Sequence, residues 1–375
     1  MLTSYQLSKG AHFMYRLFFA AVLLFSVSIF PVQALERPGV EYKIFQFPSD
    51  MIPTIDGKTD DWKIVGDEYV VGSDQLSDTV KNHGTNIDPK NFNCKVRVGW
   101  VKGLNRLYFL YEAYDNFWKF DTNGLVNDIF EIVVDGDLSG GPVIPEMRTD
   151  MKMNFWDGYL FQGVMAQNYH IFTPAKGKDW CMEWGSQQYT KDMPWANHAY
   201  SYNFKNGEGG KLVLEFWITP FDYAPYDITK GIVESKLKEN SIIGLSWSVL
   251  DYDADNIKEG DYTGFNNLSH KTTMYGDASA LVAFRLMPLG KQFHKPLEVN
   301  WTFTVVDMDR RLVSFKDLTY GKVTSWKWDF GDGTTSTEQN PVHQYAEGGY
   351  KIVVLYVEGP DGKDKFSRVW DVTLK

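Results

Sequence analysis

Cysteine is nearly absent from this chain: Cys94 and Cys181 are the two in 375 residues. That excludes a disulfide-stapled scaffold, and neither has the C-x-x-C spacing of a zinc site or the C-x-x-C-H of attached haem. One disulfide between them and two buried free thiols both remain open at this stage. Long apolar runs are missing beyond the first thirty-odd residues, so no later stretch supplies the roughly 20 residues of a membrane-spanning helix. Basic clusters are missing as well. The formal charge is −10 and the pI about 5.2, which argues against a nucleic-acid partner. The seven histidines are scattered, and no H-E-x-x-H, G-x-S-x-G, phosphate-binding or dinucleotide glycine motif occurs. Helical periodicity is scarce too: only Thr229 to Glu239 hints at a helix.

What is present begins with a targeting pattern. Lys9 and Arg16 precede an apolar run from Leu17 to Phe30, Pro31 breaks it, and Val32-Gln33-Ala34 offers a small-x-small cleavage pattern. Residues 1–34 therefore read as a signal peptide, with a retained N-terminal anchor as the alternative. The expected location is secreted, periplasmic or cell-surface, with no membrane span after cleavage.

Alternation with period two dominates the rest. Lys95 to Trp100, Arg106 to Tyr114, Asp128 to Asp135, Lys211 to Ile218, Ile242 to Asp251 and Ala280 to Leu286 all read as strands. Asp-Gly pairs at Asp56, Asp135, Asp157, Asp332 and Asp361 punctuate them as turns. The fold class is all-β, and the composition and length fit two sandwiches. The domain reading is 38–288 for a large β-sandwich, 289–298 for a linker and 299–375 for a small one.

The small one carries Val313-Ser314-Phe315, Trp328-Asp329-Phe330-Gly331-Asp332-Gly333, Asn340-Pro341-Val342-His343-Gln344-Tyr345 and Gly349-Tyr350. In order and spacing these resemble the PKD (polycystic kidney disease) family. The resemblance implies a seven-stranded immunoglobulin-like sandwich acting as spacer or docking module, without catalytic residues. The strand from Ile352 to Val357 is apolar on both faces, which suggests that it packs on the larger domain or on a partner.

The large domain opens with Ile55-Asp56-Gly57-Lys58-Thr59-Asp60-Asp61-Trp62. It continues through Val96 to Trp100, Leu107 to Phe109, Asp115-Asn116, Asp128 to Asp135, Leu212 to Pro220 and Gly244 to Asp253. This ordered set resembles family 9 carbohydrate-binding modules (CBM9). Insertions near Gly72 to Lys90 and Asp137 to Tyr200 depart from that pattern. The resemblance implies a glycan ligand, and its variable loops would form the ligand face.

Of thirteen tryptophans, Trp118, Trp156, Trp180, Trp184 and Trp195 fall outside the clearest strands. Flat rings stack on the C–H face of a pyranose, and nearby amides hydrogen-bond its hydroxyls. Gln187, together with Asn168 and Gln188, supplies such amides. A second candidate site is the acidic loop bearing Asp251, Asp253, Asp255 and Asp261, whose alternate oxygen ligands suit a structural Ca²⁺. It is not an EF-hand, because Asn256 stands where Gly belongs and Tyr262 where Glu belongs. Glu131 and Glu215 are the strand acids to inspect for glycosidase chemistry.

The expected function is an exported, non-catalytic glycan-binding protein that holds its ligand by aromatic stacking. One alternative is a structural or adhesive surface protein that uses both sandwiches to contact cell-surface or secreted proteins. A further alternative is a haem-binding relative of the sandwich, with Met147, Met151, Met153, His170 and His198 as its ligand pool.

Overall fold

The computed structural model describes residues 35–372, so the signal-peptide reading of 1–34 falls outside the described residues. In the larger domain β1 spans Glu36–Gln46, β2 Phe92–Trp100, β3 Leu107–Asp115, β4 Ile129–Asp135, β5 Gln167–Phe172 and β6 Cys181–Glu183. There follow β7 (Ala196–Tyr202), β8 (Gly210–Ile218), β9 (Ile242–Asp251), β10 (Gly264–Asn267) and β11 (Val282–Leu286). Their order across the sheet is β6-β5-β4-β9-β11-β1-β2-β3-β8-β7, with β10 branching from β9.

The sheet folds over at β1 into two leaves. The first part of β1 runs parallel to β11, pairing Tyr42 with Phe284. Its last residues run parallel to β2, pairing Gln46 with Trp100. Strands β6, β5, β4, β9 and β11 form one leaf; β2, β3, β8 and β7 form the other.

The period-two pattern explains the packing between them. Leu212, Leu214, Phe216 and Ile218 of β8 all enter the central core. There Phe216 stacks on Phe109 at 4.7 Å, and Tyr111 of one leaf stacks on Phe130 of the other at 4.2 Å. Each such ring contributes about 1.5–3 kcal/mol by leaving water. Strand β3 is apolar on both faces because its outer face is covered as well. Tyr108 and Leu110 join Phe45, Phe47, Trp62 and Trp217 in a second buried layer.

Two local expectations fail. Thr229 to Glu239 forms a 3₁₀ turn at Ile228–Lys230 and a short strand at Val233–Glu234 instead of a helix. Gly231, at φ +86°, breaks the run between them. The α-helix of the described residues is α1, Phe155–Phe161, inside the long insertion. Its N-cap is Asn154, whose Oδ1 accepts from the Trp156 and Asp157 amides at 2.9 and 3.0 Å. It ends at Gln162, and Gly163 follows at φ +77°.

The C-terminal domain contains β12 (Trp301–Asp307), β13 (Leu312–Asp317), β14 (Ser325–Asp329), β15 (Thr335–Ser336), β16 (Val342–Gln344), β17 (Tyr350–Gly359) and β18 (Gly362–Asp371). A sheet ordered β12-β13-β16 faces one ordered β15-β14-β17-β18. They enclose Trp301, Phe315, Trp328, Phe330, Tyr345, Val353 and Leu355. The tight turn after β14 needs its glycine: Gly331 has φ +74°, and a Cβ there would meet the Ile352 carbonyl oxygen at 2.5 Å. Inward residues of β17 are Val353, Leu355 and Val357. Its outward residues are not covered by the larger domain, which leaves the partner alternative of the expectation: Ile352 is 58% exposed and neighbouring Val369 68%.

Candidate ligand face and metal centre

The five tryptophans singled out by sequence do not share one face. Trp118 is buried, stacks on Phe204 at 5.1 Å and donates to the Gly210 carbonyl. Trp180 is also buried, stacks on His198 at 4.6 Å and donates to the Lys191 carbonyl at 2.9 Å. Both fill the sandwich where the insertions pack onto its edge, so neither offers a ring to a ligand. Gln187 is fully buried as well, its Nε2 donating to the Gln162 carbonyl at 2.9 Å. Trp184 leans on His170 at 4.9 Å, and Trp195 meets Tyr189 edge-on at 5.3 Å; both are half-buried.

Trp156 differs. It lies on α1, 67% exposed, beside Phe155 at 75% and Tyr159 at 38%. The three rings pack on one another, with Phe155 5.2 Å from Trp156 and parallel to Tyr159 at 6.5 Å. Leu160 and Met151 extend the exposed apolar surface. A helix of seven residues cannot bury such a face alone, and contiguous exposed rings mark an interaction surface.

The acidic loop is rearranged relative to expectation. The carboxylate oxygens of Asp251 and Asp253 come together with Asp115, all within 4.8 Å of one another. Asp115 ends β3 on one leaf and Asp251 ends β9 on the other, so the cluster closes one end of the sandwich. Asp255 and Asp261 turn away: Asp255 lies 3.9 Å from the Lys119 ammonium, and Asp261 accepts the Lys258 amide at 3.2 Å. Asn91, just before β2, donates from Nδ2 to Asp251 Oδ2 at 3.0 Å. Its backbone and side-chain oxygens hold Asn116 at 2.9 and 2.7 Å, fixing the Asp115-Asn116 turn.

Nothing cationic compensates this cluster among the described residues, and Asp251 Oδ1 and Asp253 Oδ1 are buried without partners. Burial, then the charge of Asp253, pushes the Asp115 carboxyl up to about 7. Burial followed by Asp115 and Asp253 holds Asp251 well above the carboxylate range. Adjacent Asp128 has both oxygens occupied by the Lys119 and Tyr252 amides, at 2.7 and 2.9 Å. Three converging carboxylates, two of them with unpartnered buried oxygens and none with a basic partner, fit a hard divalent cation, which takes six to eight oxygen ligands.

Glu131 and Glu215 are not brought together. They alternate with core residues of β4 and β8, which places them on opposite outer faces of the sandwich. Glu131 accepts from Asn168 Nδ2 at 2.8 Å and Ser248 Oγ at 2.5 Å, with His170 Nε2 at 3.3 Å. Glu215 accepts from Trp62 Nε1 at 2.9 Å and the Asp56 and Gly57 amides at 3.0 and 3.1 Å. The opening motif is thus explained by a clamp on Glu215. Of the haem pool, His170 of β5 packs on Trp184 and His198 of β7 on Trp180, so the two histidines stand on different leaves. Cys94 lies on β2 and Cys181 on β6, and both are buried free thiols in this structure.

The PKD domain family model matches residues 307–374, so the C-terminal sandwich is a PKD domain. Collagenase ColQ1 of Bacillus cereus (strain Q1) is 55% identical over 56 residues, which are 15% of this chain and 6% of the collagenase. The chain therefore matches only a small fraction of that relative's length. The PKD1 domain of Vibrio anguillarum Epp is similar at 24% identity, over 21% of this chain and 95% of that one, with a TM-score of 0.20. A family 9 carbohydrate-binding module from Caldicellulosiruptor kristjanssonii, solved with cellotriose, covers 68% of this chain and 98% of its own. Its identity is 13% and its TM-score 0.42.

Proposed function

We propose that the larger sandwich is a non-catalytic glycan-binding module of an exported protein, and that the PKD domain is its spacer or docking unit. The observation that carries this reading is the exposed cluster of Trp156, Phe155 and Tyr159 on α1. Flat solvent-facing rings on a scaffold whose ordered motifs resemble carbohydrate-binding modules supply stacking surface for pyranose rings. Asn154 and Asp157, beside them and exposed, add hydrogen-bonding groups. Asp115, Asp251 and Asp253 hold a structural calcium ion that fixes the strand ends. Export rests on the targeting pattern of residues 1–34.

A glycan-array screen with residues 35–375, repeated with EDTA, tests this. Binding to a polysaccharide, lost on Trp156→Ala, is expected; failure to bind any polysaccharide overturns it. One observation favours protein contact by the second domain. Its outer sheet face carries Tyr350, Ile352, Tyr356 and Val369, with the Lys327 and Lys365 ammonium groups 6.0 and 5.8 Å from the Tyr356 ring.

A further inference from the structure

A second set of buried oxygens lies behind α1, remote in sequence from the Asp115 cluster. Glu183 ends β6, the edge strand, and is 1% exposed; the Gln187 backbone N–H faces it, but neither carboxylate oxygen completes a well-formed hydrogen bond. Gln187 is equally buried, and its Oε1 is unpartnered because its Nε2 is committed to the Gln162 carbonyl. That hydrogen bond also fixes which end of the amide faces inward. Ser186 Oγ, between them in sequence, is buried and unpartnered too.

These oxygens converge. The point where a side chain would begin on Gly185 is in contact range of Gln187 Oε1, 2.6 Å from the Gln162 carbonyl oxygen and 2.8 Å from Glu183 Oε2. The equivalent point on Gly163 lies 2.6 Å from Glu183 Oε1 and 3.2 Å from Gln187 Oε1. Glycine at both positions keeps the space open. No Lys, Arg or His pairs with Glu183 among the described residues; Lys191 is taken by Asp179 at 2.9 Å. The ionisable groups facing Glu183 are Tyr169, Tyr189 and Cys181, none of them cationic.

An unpaired buried carboxylate costs several kcal/mol. It persists by taking up a proton or by binding a cation. A proton on Glu183 could serve one acceptor only, whereas Gln187 Oε1 and the Gln162 carbonyl are both aimed at the same space, and a carboxylate with two amide oxygens is a donor set for a hard cation. We propose that Glu183, Gln187 Oε1 and the Gln162 carbonyl form a second hard-cation site, separate from the Asp115 cluster. Gln162 is the C-cap of α1, so the ion ties the aromatic helix to the edge strand. The ion orients the presented rings without touching a ligand.

Calcium is the probe. Equilibrium dialysis of the metal-stripped full chain against Ca²⁺ counts bound ions in wild type, Glu183→Gln and Asp253→Asn. Glu183→Gln is expected to lose one ion per chain while keeping the one bound at the Asp115 cluster, and Asp253→Asn to do the reverse. Hydrogen exchange over residues 155–163 is expected to slow on adding Ca²⁺ in wild type and Asp253→Asn only. If Glu183→Gln fails to fold, Gly185→Ala, which places a methyl among the oxygens, is expected to show the same loss. An unchanged ion count in Glu183→Gln or Gly185→Ala overturns the proposal and leaves Glu183 as a carboxylic acid sharing its proton with Gln187.

Discussion

Trp62 donates its indole N–H to Glu215 Oε1 at 2.9 Å, joining residues 153 positions apart. The same carboxylate takes the Asp56 and Gly57 amides on its other oxygen. Burial raises the Glu215 pKa, and these three donors oppose that rise. Removing the acceptor strands three donors at once. Glu215→Ala should destabilise the larger domain by about 3 kcal/mol or more, and Glu215→Gln, which keeps one oxygen, by less. Urea denaturation followed by tryptophan fluorescence reads both.

The tryptophans divide into structural and presented rings. Trp118→Ala and Trp180→Ala should each cost about 3–5 kcal/mol, because each opens a cavity and loses a hydrogen bond. Trp156→Ala should change stability by less than about 0.5 kcal/mol while weakening retention in affinity electrophoresis through polysaccharide gels. A Trp156→Ala protein with stability lost and retention intact would contradict the assignment.

His198 supplies a pH signature. Burial against Trp180 lowers its pKa from 6.5 to about 4, with Asp192 opposing the effect. Below pH 6.5 the unfolded chain therefore binds the proton that the folded chain refuses. Stability is full above that value and falls as pH drops from about 6.5 to about 4. His198→Phe should remove this component from the pH dependence of the melting temperature.

Chelation should act through the strand ends. At a calcium concentration 100 times its dissociation constant, the Asp115 cluster gains about 2.7 kcal/mol, or roughly 5–10 °C in melting temperature. EDTA should abolish that increment, and Asp251→Asn should lose it while keeping whatever calcium response comes from the Glu183 site. Scanning calorimetry decides it.

The strands were legible because their inward residues recur with period two, as Leu212 to Ile218 shows. Helix α1 was not, since seven residues around Gly158 are too few for a helical period to register; its written signal is the Asn154 cap. Asp251 and Asp253 were legible as a candidate pair from alternate spacing. Their companion Asp115 reads in the sequence only as part of the Asp115-Asn116 motif, because its place in the cluster depends on two leaves closing. The burial of Trp118, Trp180 and Gln187 was hidden for a similar reason. Local sequence shows that a ring lies outside a strand, but not that an insertion folds back over it.

The parallel pairing of β1 with β11 has a temporal side. Glu36 finds its partner only at Val282, so the first strand of the sandwich must wait for the last before their shared ladder can form. Contacts of such separation slow folding and lengthen the time that unpaired edges stay open. A chain interrupted before residue 282 would hold every motif of the opening segment and still be unable to close. For this domain, synthesis and folding cannot proceed in step; the seam is sewn last.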